Sequence, residues 1–313
     1  MNNVYQNTPL KYVDLFCGIG SFHYSFKKLG WECIMSCDTD KAAKETYKEN
    51  YNQDPLGDII EINPENISSF DILCAGFPCQ PFSQCGKQKG FNDERGTLFF
   101  HIMKFVKFHK PKIIILENVQ GLLNHDKGNT FQTIKTQIEN ENYILGYKVL
   151  KCSDYGIPQM RKRLFIIALK KEEDVELTLK NKLNNISNLE EYKECEQNSE
   201  LKLSNKLNTI LNFEEYEQKV LLSSYLGKNF EKDIAYTIRC GGKSSPINDR
   251  HNWDGYIVDG KEYRLTIEDC LKLQGFDVLF KLKGNNKEQW KQLGNTIPTI
   301  FTEIIEKNIN KFY

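Results

Sequence analysis

The strongest constraint on this chain is an alternation, through its first 170 residues, of short apolar runs with longer amphipathic stretches. A short apolar run bounded by turn formers reads as a buried strand, and a following 3.6-residue periodicity as a helix laid back across it. The segments "KYVDLF", "WECIMSCD", "FDILCAG", "KIIILEN" and "RLFIIALK" are therefore predicted strands. "SFHYSFKKLG", closed by Gly30, "DKAAKETYKENY" and "TLFFHIMKFVKFHK" are predicted helices. Successive βα units bury their strands as a mostly parallel sheet covered on both faces, so the predicted class is α/β, doubly wound.

After Lys170 the alternation fades into an Asn-, Lys- and Glu-rich stretch that runs to about Gln218 and reads as partly helical. From "IAYTIRCGG" onward, glycines, aromatics and short β-type runs predict a smaller, loop-rich β region. The tail "TIPTIFTEIIEKNINKFY" reads as a helix limited by Pro298, with Ile300, Ile304, Ile305 and Ile309 on one face. That stripe needs a host, and the large α/β unit is the expected one. With 313 residues, 40% of them hydrophobic, the chain can bury a substantial core. No apolar run approaches the roughly 20 residues of a membrane helix. The start shows no basic leader followed by an apolar stretch, so a cytoplasmic protein is expected. The ten cysteines are scattered without a CxxC pair, which predicts neither a zinc site nor a disulfide framework.

Formal net charge is zero, with 42 basic and 42 acidic residues, and this taken alone argues against a polyanion-binding protein. The distribution argues otherwise. Between residues 87 and 112, Lys87, Lys89, Arg95, Lys104, Lys107, Lys110 and Lys112 face only Asp93 and Glu94. Between 171 and 200 the balance reverses, so one region can meet a polyanion while the other faces solvent.

Three constellations carry candidate chemistry. "DLFCGIGSF" (14–22) leads a strand through Gly18 and Gly20 into a helix, where glycine lets backbone approach a ligand. Asp38, twenty positions beyond Gly18 at the end of the next strand, can take a ribose diol, and Asp58 with Ile59 can edge an adenine. This pattern predicts a nucleoside cofactor without separating a nicotinamide dinucleotide from S-adenosylmethionine. Glu117 follows the apolar "KIIIL", at the strand edge where open α/β sheets bind ligands; capping the next helix is its alternative use. Gln159, Arg161 and Arg163 alternate as a strand begins, which places them on one face, as an anion clamp or as surface charge. Cys79, in "GFPCQPFSQ", is held between Pro78 and Pro81.

The motifs "DLFCGIGSF", "GFPCQPFS", "ENVQGL", "QMRKR", "RLTIEDCLKLQGF" and "QLGNTIP" occur in that order, and with them the chain closely resembles the DNA (cytosine-5)-methyltransferases of bacterial restriction-modification type. The resemblance runs from Tyr12 to about Ile305, apart from a variable region between Lys170 and Arg264. It implies a Rossmann-like, S-adenosylmethionine-dependent fold over 1–170 plus 294–313, with a β-rich target-recognition region over 171–293. It also implies methyl transfer to carbon 5 of a cytosine flipped out of a short specific duplex DNA sequence. Cys79 matches the nucleophile that adds to carbon 6, and Glu117 the carboxylate at the ring nitrogen and exocyclic amine. Arg161 matches the residue reaching the cytosine carbonyl oxygen, with Arg163 and Gln159 in support. The cofactor set carried over is Phe16, Gly18, Gly20, Asp38, Thr39, Asp58, Ile59, Pro78, Leu98 and Asn295. Thr39 stands where many members carry a larger apolar residue against the adenine, which implies weaker cofactor affinity.

Residues 79–98 resemble the family's mobile loop over the flipped base, placing Gln80, Ser83, Lys87, Lys89 and Arg95 at DNA. Arg239, Lys243, Arg250, His251 and Asn252 lie in the stretch that would read bases in the major groove. A monomer without an obligate protein partner, protecting DNA from a cognate endonuclease, is the expected setting. The rivals are the same chemistry on tRNA, a nicotinamide-dependent oxidoreductase that leaves Cys79, Glu117 and Arg161 unexplained, and a non-catalytic DNA-binding relative.

Overall fold

The computed structural model describes residues 9–78, 98–171, 189–241 and 243–313, with 189–199 described through the backbone only. Six strands, β1 (Lys11–Leu15), β2 (Glu32–Cys37), β3 (Ile72–Gly76), β4 (Ile113–Asn118), β5 (Tyr143–Lys151) and β6 (Lys162–Lys170), form one sheet in the order β2-β1-β3-β4-β6-β5. Pairing is parallel from β2 through β4, and β6 runs antiparallel to both of its neighbours. The chain leaves β1 toward β2 on one side and returns to β3 on the other. This reversal opens a crevice at the carboxyl ends of β1 and β3, the position at which such sheets bind ligands.

Strand alternation supplies both faces of the core. Cys74, Ile113, Ile115, Phe165 and Ile167 point to one face. There they meet Phe22 and Phe26 of α1 (Ser21–Phe26) and Phe301 and Ile305 of α9 (Thr299–Ile309). Leu73, Ala75, Ile114, Leu116 and Leu164 point to the other, against Phe99, Ile102 and Val106 of α3 (Leu98–His109) and Ile134 of α4 (Asn129–Glu139). The expected stripe of the tail helix is therefore buried, rotated slightly from the sequence reading. Phe301, Ile305 and Ile309 are fully buried, while Ile300 and Ile304 flank them and are partly covered. Small side chains let α9 approach α1: Ser21 Oγ donates to the Ile297 carbonyl at 2.7 Å, and Thr302 Oγ1 to the Ser21 carbonyl at 3.1 Å.

α4 and β5 exceed the sequence reading, and the stretch read as partly helical holds one long helix. β5 pairs with β6 over its whole length at the sheet edge, and α5 (Leu189–Leu211) packs on both strands. Beyond α5 come α6 (Leu222–Leu226), the hairpin of β7 (Gly255–Val258) and β8 (Lys261–Arg264), and α7 (Ile267–Leu273). Thr266 caps α7 in a reciprocal capping box with Asp269. α8 (Asn286–Asn295) and the loop before it lie on α2 (Lys41–Tyr51). Lys281 and Asn50 exchange backbone–side-chain hydrogen bonds of 3.0 and 2.9 Å, and Thr46 Oγ1 donates to Gln292 Oε1 at 2.7 Å. A boundary at residue 293, as drawn from sequence, cuts through a segment that the structure fastens to the cofactor-side unit. No helix among the described residues is long and apolar enough to cross a membrane.

Candidate active site

The carboxyl ends of four parallel strands and the end of α8 enclose a cavity of about 400 Å³. β1 contributes Phe16, Cys17 and Gly18; β2, Asp38, Thr39 and Asp40; β3, Gly76, Phe77 and Pro78; β4, Glu117, Asn118 and Val119. Arg163 enters from β6, and Lys291, Gln292, Gly294, Asn295, Thr296 and Ile297 close the far wall. The structure thus brings together Phe16, Gly18, Asp38, Thr39, Pro78, Glu117, Arg163 and Asn295 from the sequence-predicted set.

The glycine turn has a local cause. Phe16, Gly18 and Gly20 have φ of 58°, 54° and 87°, in the left-handed region where a bulky residue such as Phe16 is strained. Asp38 holds the turn through Oδ2, which accepts from Gly18 N at 2.8 Å, while Oδ1 accepts from Asp40 N at 2.8 Å. Burial still raises the Asp38 carboxyl above its ordinary range, outweighing those N–H groups. Gly20 does not line the cavity; its backbone is seated on α2. A Cβ there would fall 2.4 Å from Tyr51 Cε2, and the Tyr51 hydroxyl donates to the Gly20 carbonyl at 2.8 Å.

Glu117 is buried at the end of β4 and receives Arg163 Nε at 2.8 Å. Burial raises its carboxyl, and the Arg163 and Arg161 charges pull it back down. Because Glu117 pairs with Phe165 across the β4–β6 ladder, Arg163 lies diagonally opposite on the same face.

Arg161 is placed differently from its sequence assignment. It is fully buried, outside the cavity, and donates to the carbonyls of Ile238, Gly294 and Thr296 at 3.0, 2.9 and 2.7 Å. Gln159 is likewise buried, donating to the Leu273 carbonyl at 2.7 Å. Of the two arginines, Arg163 lines the cavity, and Arg161 ties β6 to the segments around 238 and 295. The physical reason is that the chain just before β6 is bridged to the 235–238 segment, with Gln159 paired to Ala235 and Met160 N donating to the Ala235 carbonyl at 2.8 Å, so Arg161 is among that segment's carbonyls.

Asp58, Ile59 and Leu98 do not reach the cavity wall. Asp58 caps the turn Ile59–Glu61 through Ile60 N at 3.0 Å, Ile59 is buried, and Leu98 packs on the α3 side of the sheet. Cys79, Gln80, Ser83, Lys87, Lys89 and Arg95 lie outside the described residues. Arg239, Lys243 and Arg250 are exposed, with Lys243 Nζ 4.1 Å from the Trp290 ring centre and Arg250 Nε 3.1 Å from His251 Nε2. Asn252 is buried in a turn, exchanging hydrogen bonds of 2.9 Å with Gly255.

Asp14 is the residue that sequence reasoning passed over. It is 1% exposed and lines the cavity, and its Oδ2 has no hydrogen-bond partner among the described residues. Burial, then the nearby Asp38 charge, drives its carboxyl well above the usual range. The signal was present: a carboxylate inside "KYVDLF" breaks an apolar run just as Glu117 does.

A wall with two buried carboxylates, a backbone turn and, among the described residues, no cation beside Asp14 suits a hydroxylated, cationic nucleoside such as S-adenosylmethionine, and the volume is that of a small-molecule site. Comparison with known proteins agrees. The family model described as C-5 cytosine-specific DNA methylase matches residues 10–311. The chain is 34% identical to Type II methyltransferase M.HhaI of Haemophilus parahaemolyticus, over 97% of this chain and 95% of that protein. It is 35% identical to Type II methyltransferase M.HaeII of Haemophilus aegyptius, over 92% and 88%. Among solved structures, the S. pombe Dnmt2 methyltransferase shares the fold with a TM-score of 0.62 at 19% identity, covering 96% of this chain and 99% of that one. Fold, cavity and sequence agree that the chain belongs to the C-5 cytosine-specific DNA methylase family.

Proposed function

We propose that the cavity is the methyl-transfer site, that S-adenosylmethionine is held by the glycine turn, Asp38, Asp14 and Asn295, and that the target cytosine is read by Glu117 and Arg163. The observation that carries this reading is the buried Glu117–Arg163 pair in the same cavity as the Asp38-held turn. When bound, the cofactor supplies an electrophilic methyl group on a sulfonium.

Cytosine carbon 5 is a poor nucleophile, and Cys79 makes it a better one. Pro78, the residue before Cys79, lines the cavity. The Cys79 thiolate adds to carbon 6, and Glu117, its carboxyl raised by burial, supplies a proton at the ring nitrogen as negative charge builds there. Arg163 donates to the cytosine carbonyl oxygen and keeps Glu117 oriented. Carbon 5, now part of an enamine, accepts the methyl group. Loss of the carbon 5 proton to a base, departure of the Cys79 thiolate from carbon 6 and return of the ring-nitrogen proton to Glu117 restore the neutral ring and the enzyme.

The relatives named Type II methyltransferases support a protective role beside a restriction endonuclease, and a cytoplasmic, monomeric enzyme acting on duplex DNA belongs to the same proposal. The exposed Arg239, Lys243 and Arg250 are assigned to the DNA face, together with Gln80, Ser83, Lys87, Lys89 and Arg95. The recognition region is drawn from 171 to about 280, since 281–295 is fastened to α2. Duplex DNA containing 5-fluorocytosine, which cannot release the carbon 5 substituent as a proton, should trap the enzyme covalently. Cys79→Ala should bind DNA and cofactor but form no trapped complex. Trapping by that variant, or methylation of tRNA but not duplex DNA, would overturn the reading.

A further inference from the structure

Cys240 belongs to the stretch assigned to DNA recognition, yet its thiol is turned toward the cofactor wall. Its Sγ lies 2.9 Å from Asn295 Oδ1 and 3.5 Å from the Lys291 carbonyl, both on α8, and Asn295 lines the cavity. Gly294 makes this approach possible: a Cβ at that position would fall 2.5 Å from Cys240 N and 2.7 Å from its Sγ. Arg161 fixes the same neighbourhood from beneath through the Ile238 and Gly294 carbonyls.

A side-chain amide has an accepting end and a donating end, and which end meets a ligand depends on what binds the other. A protonated thiol is a donor, so Oδ1 of Asn295 is committed to Cys240 and Nδ2 is the end left for the cavity. Cys240 is exposed as a residue, but partial desolvation of its thiol raises it and favours the protonated form, although Arg161, Lys291 and Arg163 act in the opposite direction. We propose that Cys240 is a positioning residue for the cofactor: its thiol sets the Asn295 amide so that Nδ2 donates to an acceptor oxygen of S-adenosylmethionine. The recognition segment thereby carries one support of the cofactor site. The inference rests on the assignment of Asn295 to that site.

A double-mutant cycle read by calorimetric binding of S-adenosylhomocysteine tests it, with unliganded melting of each variant to separate folding from binding. Cys240→Ala should weaken binding about fivefold, the scale of one hydrogen bond, and Cys240→Ser, which keeps a donor, by no more than about twofold. Asn295→Ala should weaken binding at least as much as Cys240→Ala, and adding Cys240→Ala to it should cost nothing further. Cys240→Val, which fills the thiol's space without donating, replaces the alanine variant if that one melts early. Wild-type affinity in Cys240→Ala, or the same loss on both backgrounds, overturns the proposal while leaving Asn295 in the site. Unchanged affinity in Asn295→Ala removes Asn295 from the site and the inference with it.

Discussion

Arg161 commits its guanidinium to three backbone carbonyls, whereas Arg163, two residues on, pairs with Glu117 at the cavity. Removing each should therefore fail differently. Arg161→Ala leaves three buried carbonyls unpaired and should destabilise the fold by about 3 kcal/mol or more. Arg163→Ala leaves Glu117 buried without its partner and should also lower the melting temperature, but its folded fraction should lose about 10²- to 10³-fold in single-turnover methyl transfer, a loss Arg161→Ala does not show in its folded fraction. The reverse pattern would return the base-facing role to Arg161. Alternation along a strand could show that these side chains share a face; it could not show that the chain before β6 is bridged to Ala235, which places Arg161 among the carbonyls of that segment. Asp14 gives a second residue-scale prediction. An unfolded aspartate releases its proton near pH 4, while Asp14 in the folded chain holds its proton to a higher pH. Its contribution is thus most favourable below about pH 4 and is lost as pH rises toward the folded value. Asp14→Asn does not titrate, so in unliganded melts from pH 5 to pH 8 the variant should gain on the wild type; a constant difference would refute the shifted carboxyl.

The βα units were legible because each buried strand is a continuous apolar run and each covering helix has a clear stripe. β5 was not, because it is an edge strand whose residues are mostly only half-buried and which carries Gly146. That glycine has a packing role: a Cβ there would fall 2.3 Å from Leu211 Cδ1 of α5. α5 itself was faint in the sequence because its described core contribution is narrow, chiefly Leu207 and Ile210. The turn between β1 and α1 makes the sharpest prediction at this scale. Gly20→Ala must hold an alanine at φ 87° and also displace the Tyr51 and Tyr47 rings, so a loss of about 2–4 kcal/mol is expected. Calorimetric titration of the folded fraction with S-adenosylhomocysteine should show weakened binding; a variant that melts and binds like wild type would show that the turn tolerates a side chain.

At the scale of the whole molecule, the cavity joins residues from opposite ends of the chain, Asp14 to Phe22 on one side and Lys291 to Ile297 on the other. The motifs at both ends were readable, but their meeting was implied only by the family resemblance, since no local pattern encodes a contact across about 280 positions. A ligand bridging both walls should slow amide exchange at 16–20 and at 291–297 together, and a hundredfold excess over its dissociation constant should add about 2.7 kcal/mol of stability. Slowing at only one end would place the ligand elsewhere. The same closure has a consequence during synthesis. β1 through β4 can pair while the chain is still being made, but the far wall does not exist until the ribosome has passed Ile297 and that segment has reached the β1 turn. Until then the nascent protein has a sheet without a cofactor site, and any methylating activity begins only after nearly all of this sequence has been translated.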